Sequence, residues 1–404
     1  MISLLAVKMI KKNLYIVGDA DDKLSQIEKN SIKLIYIDPP YNTGSKFIYN
    51  DKRDSTEWLS FILPKLHHSK RVLKEDGVIF ISIDDSEYAS LKTLCDQIFG
   101  QKNHLGTLIT RQATRSDSKH INTIHEYVLC YAKNKQKTKR FQTLRINIPS
   151  YSQVINRVSK EVKSLFKKSG QQEAQKHLNA LLKHYKHVDG FSWLKNYNLV
   201  DPVGNIYFAK DLSMPGKPNT LIIPEYEIRL EPLKTRSWAG ADKVKKLLDN
   251  NQVVFKEGRP YKKSLLLESK DSLMSILSFY SRQGNHDLER LGLKDIFDAP
   301  KPVEMIKLFI LSVCDKDDIV LDFFSGSATT GQAVVEVNHE LSFDLKFILI
   351  QLSHTIEEGS KVATILRANN LDNDIANIGI LRLNKLKDKV NNFSFEVEGV
   401  NNFV

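Results

Sequence analysis

The stretch Leu34-Ile35-Tyr36-Ile37-Asp38-Pro39-Pro40-Tyr41 constrains this chain more than any other, because an apolar run stops on an acid, two prolines and a ring. The run predicts a strand of a parallel sheet buried on both faces. The prolines, which lack an N–H and fix φ at about −65°, end that strand and stiffen the turn after it. An acid and an aromatic ring are thereby held at a strand's carboxyl end, where open α/β sheets bind their ligands. An ordinary strand leading into a proline turn would explain a single Asp-Pro pair. The full tetrapeptide after a strand is much rarer.

These groups suit methylation of an exocyclic amine on a nucleobase. Such a nitrogen is a poor nucleophile because its lone pair is delocalised into the ring, so acceptors on its N–H groups must help to localise it. Asp38 supplies one acceptor, and the Pro39 carbonyl, on a backbone stiffened by Pro39 and Pro40, supplies a second. Tyr41 offers a face on which a base flipped out of a duplex can stack. Asp38-Pro39-Pro40-Tyr41 resembles the tetrapeptide of the DNA amino-methyltransferases, which use S-adenosylmethionine.

Far downstream, Asp318-Ile319-Val320-Leu321-Asp322-Phe323-Phe324-Ser325-Gly326-Ser327-Ala328-Thr329-Thr330-Gly331 reads as a second apolar strand broken by a loop of small residues. A helical pattern continues from Gln332 to Val337, and small residues at such a bend let the backbone approach a ligand closely. The segment resembles the Phe-x-Gly-x-Gly-x-Thr cofactor loop of these methyltransferases. Phe324, Gly326 and Thr330 stand in place, and Ala328 replaces the second glycine. The resemblance implies a cofactor site drawn from Asp38, Lys301, Asp322, Phe324, Gly326, Ser327, Thr329, Thr330 and Gln351. Two of these have alternative readings, and a third has its place from the strand it ends. Asp322 either meets the cofactor's amino-acid end or caps a helix, Gln351 ends a strand where related folds hold ribose hydroxyls, and Lys301 either steadies the cofactor carboxylate or is a solvated surface group.

The catalytic motif precedes the cofactor motif, so the two halves of the chain must close into one sheet. This permuted order resembles the beta class of DNA amino-methyltransferases, especially the modification subunits of type III restriction systems. Further matches are Tyr41-Asn42-Thr43-Gly44 with Phe47-Ile48-Tyr49-Asn50-Asp51, Trp58-Leu59, Asp76 to Asp85, Glu126 to Asn134, Pro300 to Ile306 and Lys346 to Leu352. The resemblance implies an adenine N6-methyltransferase acting on double-stranded DNA, with a homodimer and a separate restriction subunit as expected partners. Cytosine N4 methylation uses the same geometry, and Asp rather than Ser at position 38 favours adenine. A DNA-binding subunit that keeps the fold without turnover is a further alternative, against which the intact tetrapeptide argues.

The chain of 404 residues carries a net charge of +11, which suggests a polyanionic partner. That charge is concentrated. From Lys133 to Lys186 there are fourteen Lys or Arg against Glu161 and Glu173 alone. Arg157 to Phe166 and Ala174 to Tyr185 carry apolar residues at helical spacing within this segment. Two solvated amphipathic helices would explain it, but it lies between the catalytic halves, where the resembling subgroup places its target-recognition insert. Lys163, Lys167 and Lys168 are the candidate phosphate contacts. Trp238 is either a DNA contact or a core residue.

The pattern predicts a doubly wound, mostly parallel Rossmann-like α/β sheet with an inserted domain. Its parts are a catalytic half at 1–134, a target-recognition insert at 135–270 and a cofactor-binding half at 271–404. Strands are expected at Leu14–Val17, Leu34–Ile37, Val78–Ile83, Ile319–Phe323 and Phe347–Leu352. Helices are expected at Thr56–Leu73, with Pro64 as a candidate kink, and at Ser86–Phe99 and Val303–Val313. The tail from Asn391 shows no pattern. Cys95, Cys130 and Cys314 form no pair or zinc spacing, so reduced thiols in a cytoplasmic protein are expected. Met1 to Lys11 does not read as a signal peptide, and no apolar run approaches membrane-spanning length. Asp84-Asp85 reads as a solvated loop rather than a metal site, since methyl transfer from a sulfonium needs no metal.

Overall fold

The structure is a computed structural model in which residues 12–43, 53–111, 119–391 and 393–399 are described. The matched piece from Gly44 to Asp51 and the start from Met1 to Lys11 lie outside the described residues. The chain forms two compact units, one of residues 1–142 with 272–404 and one of residues 143–271.

The first unit is built on a nine-stranded sheet. Its strands are β1 (Asn13–Val17), β2 (Ile32–Ile37), β3 (Leu73–Ile83), β4 (His104–Arg111), β5 (His125–Ala132), β6 (Ile276–Leu277), β7 (Ile319–Asp322), β8 (Lys346–Gln351) and β9 (Phe395–Glu398). They lie in the order β6-β4-β5-β3-β2-β7-β8-β1-β9. Every pairing is parallel except those of β5, which runs against both β3 and β4.

Every residue of β2 is buried, which is what a strand covered on both faces requires. Because side chains alternate along a strand, Ile35 and Ile37 join the cluster that holds Trp58, Ile62 and Leu66 of the helix Ser55–Val72. Tyr36 points to the opposite layer, where its ring lies 6.1 Å from that of Phe309 in the helix Val303–Val313. Phe80 of β3 stacks on the same Phe309 at 4.4 Å. A Cβ added to Gly331 would come 2.9 Å from Leu349 of β8, so the helix Thr329–Leu341 packs tightly on that strand. Asp54 starts the helix Ser55–Val72 by accepting the Thr56 and Glu57 backbone N–H groups at 2.7 and 3.3 Å. Pro64 is accommodated inside that helix without ending it.

Two features differ from the sequence pattern. β3 begins five residues before Val78, at Leu73, because Lys74 to Gly77 continue the extended backbone. Phe395–Glu398 becomes an edge strand on β1, with Phe395 opposite Asn13 and Glu398 opposite Ile16.

In the second unit the long helix Pro149–Tyr185 is interrupted at Gly170. Gly170 has φ 81°, a conformation that favours glycine, and it divides the helix into two arms. His177 Nε2 of the second arm lies 3.0 Å from Glu161 Oε2 of the first. Val158, Val162, Ala174 and Leu178 share one buried cluster. Lys163, Lys167 and Lys168 are exposed and make no ion pair among the described residues. Four antiparallel strands complete a sheet in the spatial order Val253–Lys256, Arg259–Leu265, Ile206–Asp211, Leu199–Val200. Trp238 is a core residue, 4% exposed, with its indole N–H donating to the Glu231 carbonyl at 2.9 Å. No described helix is long and apolar enough to cross a membrane, and all three cysteines are buried free thiols.

Candidate functional site

β2 and β7 are neighbours, with Leu34 opposite Val320 and Ile35 opposite Leu321. The chain leaves β2 towards β3 on one side and leaves β7 towards β8 on the other. The order of strands therefore reverses between them, and a crevice forms at their carboxyl ends. Asp38 succeeds β2 and Asp322 ends β7, so two motifs near opposite ends of the chain share one edge of the sheet.

The turn after β2 is braced from several sides. Trp58 donates its indole N–H to the Pro40 carbonyl at 2.6 Å. Asn42, at φ 65°, donates to Glu87 Oε1 at 2.8 Å, while its side-chain oxygen accepts the Arg53 backbone N–H at 2.8 Å. Ser55 holds the other Glu87 oxygen at 2.8 Å. The Tyr41 hydroxyl lies 2.7 Å from Asp38 Oδ1 and 3.0 Å from Glu126 Oε2. Its single proton serves one of these acceptors at a time. Lys301 donates to the Tyr41 oxygen at 2.7 Å and to Glu126 Oε2 at 2.5 Å, and stands 3.4 Å from Asp38 Oδ1.

Burial raises the Asp38 carboxyl above the usual range, Lys301 opposes the rise and Glu126 adds to it. Burial would lower the Lys301 ammonium, but Asp38 and Glu126 outweigh it and the net shift is upward. Lys301 thus belongs to the Asp38 cluster. Glu126 is a member that its sequence context does not single out. It lies near the start of β5, and because β5 is reversed, its first residues reach the edge where β3 ends. Ile83 there pairs with Tyr127.

The loop after β7 folds around its own acid. Asp322 accepts the Phe324 backbone N–H at 3.0 Å and the Thr330 hydroxyl at 2.6 Å. Burial pushes its carboxyl up to about 7; Thr330 and Phe324 partly offset this, and Asp38 adds to it. Gly326 donates its backbone N–H to Gln351 Oε1 at 2.7 Å. The Phe324 ring lies 5.8 Å from Phe61 and 5.3 Å from Phe323. Ser327 and Thr329 turn inward to Arg382, a fully buried arginine of the helix Ile375–Lys387. The Arg382 Nη1 donates to Ser327 Oγ at 3.0 Å and to Thr329 Oγ1 at 2.8 Å, and its Nε donates to Gln332 Oε1 at 2.7 Å. Burial lowers this guanidinium to about 10, against the pull of Asp287 and Glu336. Ala328 adopts φ 60° with its side chain fully buried. Phe324 and Gly326 keep partial exposure, whereas Ser327, Thr329 and Thr330 are buried. Asp84 accepts the Ser86 backbone N–H at 2.9 Å, the role of a turn residue.

Fold and site define a doubly wound α/β protein whose ligand crevice lies at the reversal of strand order. A family profile described as DNA methylase matches residues 32–362, and the chain belongs to that family. It is 29% identical to the type III restriction-modification enzyme EcoP15I Mod subunit of Escherichia coli over 393 residues, 86% of this chain and 60% of that protein. It is 28% identical to the type II methyltransferase M.KpnI of Klebsiella pneumoniae over 403 residues, 94% of this chain and 89% of that protein. The chain thus spans about 60% of the Mod subunit's length. Among solved structures, PvuII DNA methyltransferase (cytosine-N4-specific) aligns over 96% of this chain and 95% of its own, with a TM-score of 0.43 and 13% identity.

Proposed function

We propose that this chain transfers a methyl group from S-adenosylmethionine to N6 of adenine in duplex DNA. The observation that carries the reading is the pairing of β2 with β7, which puts Asp38-Pro39-Pro40-Tyr41 and the loop from Asp322 to Thr330 at one sheet edge. Membership of the DNA methylase family and likeness to Mod subunits and M.KpnI support it.

The residues present fit the cofactor. Gly326 has φ 48°, a conformation that favours glycine, and an added Cβ would stand 3.0 Å from the Phe297 ring, so the turn needs a residue without a side chain to keep this shape. Phe324 offers a partly exposed ring beside it, and Gln351 ends the neighbouring strand. Phe324, Gly326 and Gln351 would hold the cofactor, with the buried Asp322 shaping the loop from within, and the cofactor's sulfonium supplies an activated methyl group when bound. Asp38 and the Pro39 carbonyl accept the N–H groups of the amine, which raises its nucleophilicity. Tyr41 stacks the extruded adenine, and the brace from Trp58 to Pro40 keeps the turn from drifting. Holding the reacting atoms in line provides much of the rate enhancement.

In the same reading residues 143–271 are the target-recognition unit, with Lys163, Lys167 and Lys168 on phosphates. The chain works as a homodimer beside a separate restriction subunit. Methylation-sensitive sequencing of DNA from cells expressing the chain tests base and site together. N6-methyladenine at one short sequence, lost with Asp38→Ala, supports the reading. N4-methylcytosine would replace it with the cytosine alternative, and unmethylated DNA despite cofactor binding would support a non-catalytic subunit. Light scattering of the purified chain tests the dimer.

A further inference from the structure

The Lys301 ammonium stands between two carboxylates and lies closer to one, 2.5 Å from Glu126 Oε2 against 3.4 Å from Asp38 Oδ1. Both anchors are stiff. Lys301 is flanked by Pro300 and Pro302 just before the helix Val303–Val313, and Glu126 lies in β5 between the paired residues His125 and Tyr127. Hydrogen bonding and close range tie the Lys301 ammonium most directly to Glu126, while the Asp38 charge also raises it. Both Asp38 contacts, from Tyr41 and Lys301, are to Oδ1. Its Oδ2 has no partner among the described residues, and the side chain keeps 29% of its surface exposed.

An amine receiving a methyl group becomes acidic as the N–C bond forms and the sulfonium S–C bond breaks to leave a neutral thioether, and the proton it gives up passes by way of its acceptor to solvent. The carboxylate that accepts its N–H must then be basic. A carboxylate fully paired with an ammonium is a weaker base. We propose that Glu126 is a positioning residue for methyl transfer, holding the Lys301 ammonium off Asp38 so that Asp38 keeps its Oδ2 as a basic acceptor. This rests on the function proposed above.

Among the described residues, the groups facing Asp38 are Tyr36 on its own strand, Tyr41 in the turn, Asp322 on β7, Glu126 on β5 and Lys301. Asp84, beyond β3, faces Glu126 in turn. Removing the Glu126 charge takes away a negative neighbour and releases Lys301 towards Asp38. Both changes lower the pH at which Asp38 loses its proton. Removing the Lys301 charge acts in the opposite direction.

The test is the pH profile of single-turnover methyl transfer at saturating cofactor and duplex, which reports groups in the assembled complex. Glu126→Gln should move the acid limb down by about one pH unit or more. Its plateau rate should fall by about tenfold, with cofactor and duplex affinities unchanged. Lys301→Gln should move the limb up. The double variant, with neither charge, should recover plateau rate over Glu126→Gln. Asp38→Asn, which keeps an acceptor but cannot titrate, should lose the limb. If Glu126→Gln does not fold, Glu126→Asp, with its charge drawn back by one methylene, should shift the limb the same way by less. An acid limb that stays put or moves up with either Glu126 variant, or a double variant no faster than Glu126→Gln, overturns the proposal. An active Asp38→Ala overturns the functional reading itself. An inactive Asp38→Ala alongside an unshifted Glu126→Gln limb removes only the positioning role.

Discussion

The Gly326 backbone N–H donates to the Gln351 side-chain oxygen at 2.7 Å, tying the first turn after β7 to the end of β8. The remaining donor group of that amide reaches the Leu352 carbonyl at 3.2 Å. Gln351, expected to meet ribose hydroxyls, is therefore also a brace for the loop, and an acid at this position would offer the same acceptor but no second donor.

Gly326→Val should weaken S-adenosylmethionine binding by about tenfold or more, because a β-branched residue is strained at φ 48° and meets Phe297. Tyr41→Ala should leave cofactor affinity near normal while methyl transfer falls. Titration calorimetry on folded protein separates the two, and unchanged affinity in the Gly326 variant would remove the loop from the cofactor site.

Ala328 holds φ 60°, where a side chain costs on the order of 1 kcal/mol. Ala328→Gly relieves that strain and gives up one buried methyl, so stability should stay within about 1 kcal/mol. Ala328→Val should cost more than about 2 kcal/mol, since the site is fully buried and a β-branched residue is poorly suited to it. Urea unfolding of the two variants checks this, and equal stabilities would contradict the left-handed turn.

Asp322 titrates near 7 in the fold, against the ordinary 3.8. Between these values the folded chain holds a proton that the unfolded chain has released. Its contribution thus favours the fold at low pH and is lost as pH rises towards 7, by a few kcal/mol. Asp322→Asn cannot titrate, so its melting temperature should fall less than that of the unchanged chain between pH 4 and pH 7. Parallel melting curves across that window would sink the assignment.

Lys163, Lys167 and Lys168 project without ion pairs among the described residues. Replacing all three with Gln should weaken specific and random duplexes alike and flatten the dependence of log affinity on log salt. Exchanging residues 143–271 for a relative's segment should change which sequence is methylated. An unaltered salt slope in the triple variant, with a chimera that still methylates the original site, would show that recognition lies elsewhere.

The strands that carry Asp38 and Asp322 are legible because each is a continuous apolar run ending on an acid, and the helix Val303–Val313 is legible from its dense apolar pattern. Other parts depend on partners that the local sequence does not name. Phe395–Glu398 is too short to signal a strand, and its extended form depends on pairing with β1. Glu126 reaches the site only because β5 runs backwards. Arg382 sits among apolar residues of an amphipathic helix, where a single arginine reads as a surface residue until the loop that it holds is folded. Gly170 divides the two helical arms of the second unit, and its positive φ explains why two patterns rather than one long one are read there.

The pairing of β2 with β7 also sets a timetable for synthesis. At roughly 5–20 residues per second, the ribosome needs on the order of tens of seconds after β2 emerges before β7 is made. During that interval one edge of a strand that is apolar but for Lys33 lacks its native neighbour, the kind of edge that recruits chaperones or other chains. A product terminated before β7 would lack the second half of the crevice. On the function proposed above, such incomplete chains would leave DNA unmarked, and the capacity to modify it would arrive only once β7 and its loop have been made.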